Sequence, residues 1–300
     1  MTPTLSTLAL ASLAIMGTWF SPLLHAQPQS QAQAQAQTQT EVSQAGVKTH
    51  ITVNATYSLN QGDAAQTTTP QALTLSYPAP VRLEQVLADT LQHLPQLPVP
   101  AIDNGTAISG QAIYWPAASV FTAFPHPQKM ATHAALSELI KQSDDADARI
   151  FDALQHQLAQ LPIGERVFTP LDYDAVRITP ALNPLITQSI TLVLPPKPTH
   201  VLVVGAVKQP GFFPWQPRQD VDSYVSQADV ATHGMSQADN SEAIVIQPDG
   251  TVETHAFAYW NHQHQDIAPG ATVYLPFADL PRDAASLNDE IVHLLRNRAL

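Results

Sequence analysis

Residues 242–257, EAIVIQPDGTVETHAF, give the clearest structural signal in the second half of this 300-residue chain. Apolar and polar residues alternate on both sides of Pro248-Asp249-Gly250, as they do in strands with one buried face. Pro, Asp and Gly are residues that form tight turns between such strands. The pattern therefore predicts a β-hairpin.

The segments around this hairpin complete a domain. A strand is predicted at 200–207 (HVLVVGAV), a turn-rich hairpin at 209–217, a short helix at 221–228 and a closing strand at 272–277. Strand, turn, strand, helix, hairpin and strand is the order of a β-grasp (ubiquitin-like) fold. The sequence thus predicts a second β-grasp domain over residues 199–280.

The first half begins in the same way. Alternating residues predict strands at 48–59 and 71–78, and a helical stripe of Leu and Val predicts a helix at 81–94. Two helical patterns separated by a Ser-Asp-Asp turn predict a helical hairpin at about 127–161. We interpret residues 48–198 as a first β-grasp domain that carries this hairpin as an insert.

Strands are predicted to resume after the insert, at 166–168, 175–178 and 189–194. The tail, 281–300, is predicted to be an amphipathic helix because Leu287, Ile291, Leu294 and Leu295 fall on one face, with acids in its first turns and arginines in its last. Two alternatives stay open: a helix docked on its own domain, or a free helix that contacts a partner protein or a membrane surface. The predicted fold class is α+β.

The N-terminal residues predict export. Residues 1–26 hold an apolar run that ends Leu24-His25-Ala26, as a cleaved signal peptide does. Residues 27–47 are Gln/Ala-rich and predict a disordered linker. The chain has no cysteine, which excludes disulfides, thiolate metal sites and a lipid-anchoring lipobox. We expect a periplasmic protein of a Gram-negative bacterium.

Charge limits the partners. Asp and Glu number 25 and Lys and Arg 13, so nucleic acid is not an expected partner. His262, His264 and His255 include alternate residues that would share a strand face. A third ligand is not evident among them, and neither a metal nor a cofactor is predicted.

The stretch 164–184, GERVFTPLDYDAVRITPALNP, carries charge in a charge-poor chain. Its Arg166 and Arg177 beside Asp172 and Asp174 indicate a structured polar feature and a candidate pocket, because unpaired buried charges are costly. On a strand the two aspartates would share a face and serve as paired carboxylates for glycoside hydrolysis. The alternative is that they cap turns or pair with the arginines.

Aromatic residues supply candidates for sugar stacking. Trp115 and Trp260 offer flat apolar faces, while the size of Trp115, Trp215 and Trp260 favours roles as core anchors. A guanidinium such as that of Arg166 binds a carboxylate or sugar hydroxyls through two donors at once. Its alternative role is an ion pair with Asp172, Asp174 or Glu165.

The chain resembles GfcC-type capsule-biosynthesis proteins, which belong to group 4 capsule and related exopolysaccharide systems. The matching motifs occur in order over roughly residues 110–295. They are Trp115-Pro116-Ala117, Arg166, LDYDAVR (171–177), Asn183-Pro184, the strand ending in GAV (202–207), Pro214-Trp215, VIQPDG (245–250), YWN with His264 (259–264), Pro269-Gly270 and LNDEIVHLL (287–295).

The resemblance implies two β-grasp domains similar to the soluble-ligand-binding (SLBB) domains of outer-membrane polysaccharide export proteins. It implies a periplasmic, non-catalytic accessory factor whose partner is polysaccharide, an export protein, or both. It also associates Arg166 with a pocket. The competing hypothesis is a periplasmic polysaccharide hydrolase or modifying enzyme that uses Asp172 and Asp174.

Overall fold

A computed structural model of the chain describes residues 51–57, 71–93 and 113–300. The predicted signal peptide (1–26) and linker (27–47) lie outside the described residues. The described part is a mixed α/β structure with two five-stranded sheets, a separate pair of short strands and several helices.

The first sheet is built from the first half of the chain. The strands of this half are β1 (Ile51–Tyr57), β2 (Gln71–Tyr77), β3 (Val81–Arg82), β4 (Ser119–Phe121), β5 (Arg166–Val167), β6 (Leu185–Ile186) and β7 (Ile190–Val193). β3 pairs with β6, and the other five form a sheet of order β2-β1-β7-β4-β5. β1 and β7 are parallel, and the remaining neighbours are antiparallel.

The second sheet repeats this topology. Its strands are β8 (His200–Gly205), β9 (Gly211–Pro214), β10 (Glu242–Ile246), β11 (Val252–Ala256) and β12 (Thr272–Leu275). The order is β9-β8-β12-β10-β11, with β8 and β12 parallel. We count the five strands of each sheet in chain order. In both sheets their spatial order is then second, first, fifth, third and fourth. The hairpin predicted at 242–257 is confirmed as β10 and β11.

The helices are α1 (Leu83–His93), α2 (Lys129–Gln142), α3 (Asp145–Gln160), α4 (Tyr173–Ile178), α5 (Val221–Gln227) and α6 (Leu287–Arg296). α1 and α5 each lie between the second and third strands of their sheet, as the sequence predicts. Asp144 begins α3 by accepting hydrogen bonds from the backbone N–H groups of Ala146 and Asp147, both 2.9 Å long. None of the helices in the described ranges is long and apolar enough to cross a membrane.

The predicted helical hairpin is confirmed as α2 and α3, and its packing is not evident from the sequence. The hairpin leaves the first sheet between β4 and β5, yet its apolar side chains share a buried cluster with the second sheet. Phe151 of α3 lies 5.0 Å, centroid to centroid, from the ring of Phe277, just after β12. The insert therefore packs into the core of the second sheet, while the first sheet keeps a separate buried cluster of its own.

The strand predicted at 175–178 is wrong, because these residues belong to α4. The side chain of Asp172 accepts a hydrogen bond from the backbone N–H of Ala175, 2.9 Å away, and so caps the N-terminus of the helix. Pro180 lies just after the helix and limits its length. A local capping bond outweighs the strand preference of Val176 and Ile178.

The C-terminal helix α6 packs against the chain itself. Leu287, Ile291, Leu294 and Leu295, the residues predicted to meet a partner, are at most 1% exposed and belong to the core around the second sheet. The side-chain amide of Asn288 bonds both the N–H and the carbonyl of Phe277. Of the two alternatives left open by the sequence, the structure has the docked helix.

Candidate functional site

An open groove of about 510 Å³ lies on the second half of the molecule. Its walls are the segment after β9, the β10–β11 turn and the loop before β12. We call it the Trp215 groove. Its lining residues are Pro116, Trp215, Pro217, Arg218, Gln247, Pro248, Asp249, Thr251, Glu253, Asp266, Ile267 and Ala268. The volume falls within the range of roughly 300–1,000 Å³ typical of ligand sites.

Hydrogen bonds hold the walls of the groove in place. The indole Nε1–H of Trp215 donates to the carbonyl of Ile267 over 2.7 Å. The amide of Gln247 donates to Glu253 over 2.7 Å and accepts from the backbone N–H of Ala268 over 3.2 Å. One side chain thus ties the hairpin to the neighbouring loop. A groove fixed in this way loses little conformational entropy when it binds a ligand.

The turn at the groove wall is similarly fixed. The carboxylate of Asp249 accepts from the N–H and the hydroxyl of Thr251, both over 2.8 Å. Arg218, which lines the groove from the segment after β9, has a φ of 62°, a left-handed conformation that costs a non-glycine residue about 1–3 kcal/mol. Such conformations cluster at binding and switch sites. The groove presents an aromatic residue, three carboxylates and one guanidinium.

Arg166 lies behind this turn instead of lining the groove. Its Nη2 donates to the carbonyl of Pro248 over 2.9 Å, and Nε of Arg296 donates to the carbonyl of Gly250 over 2.8 Å. The two guanidiniums also contact the ring of Phe168, at 5.5 and 4.1 Å from its centroid. Gly250 has a φ of 89°, and a Cβ there would collide with Phe168.

A third guanidinium completes this arginine cluster. Arg298 is buried and donates to the carbonyl of Gly270. Burial lowers the pKa of Arg166 and of Arg298 to about 10 each. The value for Arg166 already includes the attraction of Asp249, which raises the pKa, and the smaller repulsion from Arg296, which lowers it. Both groups stay charged at neutral pH, because their pKa values remain well above 7.

The space at the arginine cluster is too small for a sugar. The cavity lined by Arg166, Arg296 and Arg298 measures about 10 Å³, roughly the volume needed for one water. Among the described residues, no carboxylate forms an ion pair with Arg166, so the predicted pairing with Asp172, Asp174 or Glu165 is wrong. Its role in this structure is to hold the β10–β11 turn against β5.

Asp172 lies directly before α4, Asp174 and Arg177 lie on it, and none of the three lines the cavity of the arginine cluster. Asp172 caps the helix, and Asp174 lies 3.4 Å from Arg177 in an exposed pair. Positions two apart on a helix point to different sides, so the two carboxylates do not share the face that a strand would give them. The turn-capping and pairing alternative is therefore the one the structure has.

The three histidines considered as metal ligands do not share one site. His262 and His264 lie beside Asp220, and His255 lies beside Glu253. Nε2 of His262 lies 2.9 Å from Asp220, and His264 contacts both Asp220 and Asp266. His255 is buried and instead contacts Glu253 at 3.1 Å. No group of three or more metal-ligating side chains occurs within the residues that the structure describes.

The tryptophans differ in their surroundings. Trp115 is half-buried against the core of the first sheet, and Trp215 lines the groove. Trp260 is 77% exposed and its neighbour Tyr259 is fully exposed, so the expected core role does not hold for Trp260. Sequence reasoning missed the groove role of Trp215 and passed over Tyr259. Two adjacent aromatic residues in a segment without the alternation of a strand could have indicated that Tyr259 and Trp260 are exposed.

The protein is thus an α+β protein with two sheets that share the same strand order. An open groove with hydrogen-bonded walls lies on the second sheet's half of the molecule. Comparison with known proteins makes the assignment specific. The N-terminal capsule biosynthesis GfcC model matches residues 60–197, and the C-terminal one matches residues 209–299.

A curated relative agrees with these matches. Over 191 residues the chain is 33% identical to "Uncharacterized protein YjbG" of Escherichia coli (strain K12). The alignment covers 62% of this chain and 76% of that protein. The chain belongs to the GfcC family of capsule biosynthesis proteins.

Proposed function

We propose that this protein is a non-catalytic accessory factor of capsule or exopolysaccharide assembly and export, and that it binds a segment of polysaccharide in the Trp215 groove. Family membership supports the role in capsule assembly. The groove carries the binding role, because it encloses about 510 Å³ whereas the cavity at Arg166 encloses about 10 Å³. Its aromatic wall suits a sugar ring, and its fixed polar groups suit sugar hydroxyls.

We also infer the fold family of the protein and its location in the cell. We infer that both halves are β-grasp domains of the SLBB-like kind, because the strand order second-first-fifth-third-fourth occurs twice with a helix after the second strand. We place the protein in the periplasm on account of the signal-peptide pattern in residues 1–26 and the absence of cysteine.

Filling the groove tests the proposal. Thr251 is exposed in the groove wall, and Thr251→Trp would occupy the space in which the polymer binds. Thr254→Trp is the matched control, because Thr254 is exposed on β11 and does not line the groove. Each variant replaces the native protein in the host bacterium, and cell-surface polysaccharide is measured together with the level of the protein.

We expect Thr251→Trp to reduce surface polysaccharide strongly at a normal protein level, and Thr254→Trp to leave it unchanged. Full surface polysaccharide in Thr251→Trp cells would contradict the groove as the working site. If the polymer is lost but the purified wild-type protein binds none of it, the occupant of the groove is instead a partner protein of the export machinery.

A further inference from the structure

Two aromatic side chains stand out on the surface between β11 and β12. Tyr259 is fully exposed and Trp260 is 77% exposed, while the preceding Ala258 is buried. Large aromatic side chains ordinarily gain stability by burial, so neither ring contributes here to the core. Exposed aromatic residues side by side indicate a contact surface more than a folding requirement.

The turn that carries this pair is held from both sides. The carbonyl of Ala258 accepts from the N–H groups of Asn261 and His262, over 3.0 and 2.9 Å. The side chain of Asn261 donates to the carbonyl of Ser241 over 3.3 Å, next to β10. His262 reaches Asp220, the N-cap of α5, over 2.9 Å. The turn therefore presents both aromatic residues from a fixed backbone, and aromatic side chains have few rotatable bonds to order on binding.

The charge around the pair limits what it would bind. From residue 219 to residue 281 the chain contains nine Asp and Glu residues and neither Lys nor Arg. Acidic polymers and anionic lipid headgroups would meet like charge there. A protein partner typically needs about 800 Å² of surface with an apolar centre. Beyond the two rings, however, the exposed residues His262, Gln263 and His264 are polar.

We propose that Tyr259 and Trp260 form a stacking platform for uncharged pyranose rings. The apolar C–H face of a sugar would lie on the rings, and its hydroxyls would bond the amide and imidazole groups beside them. The inference rests on the proposed polysaccharide-binding function and adds a second contact and a ligand class. His264 contacts Asp266 of the groove wall over 3.3 Å, so platform and groove belong to one loop.

The test uses fragments of the host's own surface polysaccharide, separated by anion exchange into uncharged and acidic fractions. Binding of each fraction to the purified protein is measured by titration calorimetry. The acidic fraction is also tested after chemical reduction of its carboxylates, which provides the same chain without charge. The double variant Tyr259→Ala/Trp260→Ala removes the platform. Phe212→Ala removes an aromatic side chain that is 62% exposed on β9 and is the matched control.

We expect the uncharged fraction and the carboxylate-reduced fraction to bind, and the double variant to bind them roughly tenfold more weakly or worse. Phe212→Ala should bind as the wild type does. Unchanged affinity in the double variant, with binding lost in Thr251→Trp, would overturn the platform and leave the groove standing. Preferential binding of the unreduced acidic fraction would overturn the ligand class. No binding of any fraction would overturn the proposed polysaccharide function as well.

Discussion

Arg166 donates to the carbonyl of Pro248, a residue 82 positions further along the chain. The sequence shows an arginine with Asp172 and Asp174 nearby along the chain. Local spacing gives no information about a partner as distant as Pro248. The pocket expected around Arg166 is therefore replaced by a contact that fixes one wall of the groove. By contrast, the capping role of Asp172 was within reach of the sequence, because its bond spans only three residues.

The pH response of one buried histidine follows from its surroundings. His126 is 8% exposed, and its Nδ1 accepts from the N–H of Gln128 over 3.2 Å, which requires that this nitrogen carry no proton. Burial lowers the pKa of His126, as does His293 beside it, while Glu165 raises it to a lesser degree. The folded-state pKa thus lies below the ordinary value of 6.5.

Protonation should therefore weaken the fold as the pH falls. Above the pKa that His126 has in the unfolded chain, the histidine is neutral in both states and does not change the free energy of unfolding with pH. Below that pKa the unfolded chain takes up a proton before the folded protein does, so the folded state loses stability. We expect the free energy of unfolding, measured in urea at about pH 7.5 and pH 5, to fall less in His126→Gln than in the wild type. His156→Gln, at an exposed site on α3, is the control, and its free energy of unfolding should fall by as much as that of the wild type. An equal loss in wild type and His126→Gln would contradict this account.

At the scale of elements, the α2–α3 hairpin is tied to the second half by one carboxylate. Asp147, 5% exposed, accepts from the N–H of Met235 over 2.8 Å and from the N–H and hydroxyl of Ser236 over 3.2 and 2.6 Å. Gly234 has a φ of 79° and no Cβ, which allows the carboxylate to approach its backbone. The hairpin therefore docks through a buried, charge-assisted set of hydrogen bonds.

Asp147→Asn should destabilise the protein by about 2–3 kcal/mol, because an amide turns an N–H₂ group toward backbone donors and leaves them unsatisfied. Chemical denaturation measures the loss. Asp145→Asn, an exposed change in the same helical turn, should cost only a few tenths of a kcal/mol. If the two variants are equally stable, the contact with Ser236 does not hold the hairpin.

Elements with strong periodicity were predictable, and their packing was not. The hairpin helices follow from apolar residues at helical spacing, and β10 and β11 follow from alternation around a Pro-Asp-Gly turn. α4 was missed because its six residues are too few to show a helical period against β-branched Val176 and Ile178. That the hairpin packs on the second sheet depends on contacts between distant segments, which no local pattern encodes.

At the scale of the whole molecule, the Trp215 groove is assembled from four separate stretches of chain. Pro116 comes from the first half, and the other lining residues come from the segment after β9, the β10–β11 hairpin and the loop before β12. The ordered motifs predicted the family, and the comparisons confirm it. The groove itself exists only once the sheets and loops are placed together.

The proposed function requires that the protein bind the host's surface polymer without cutting it, and incubation with that polymer tests this requirement. The purified protein is immobilised and incubated with that polymer, and the retained amount and the size distribution of the polymer are followed over time. We predict retention with an unchanged size distribution. Progressive shortening that disappears in Asp172→Asn would contradict the account and make the protein a hydrolase.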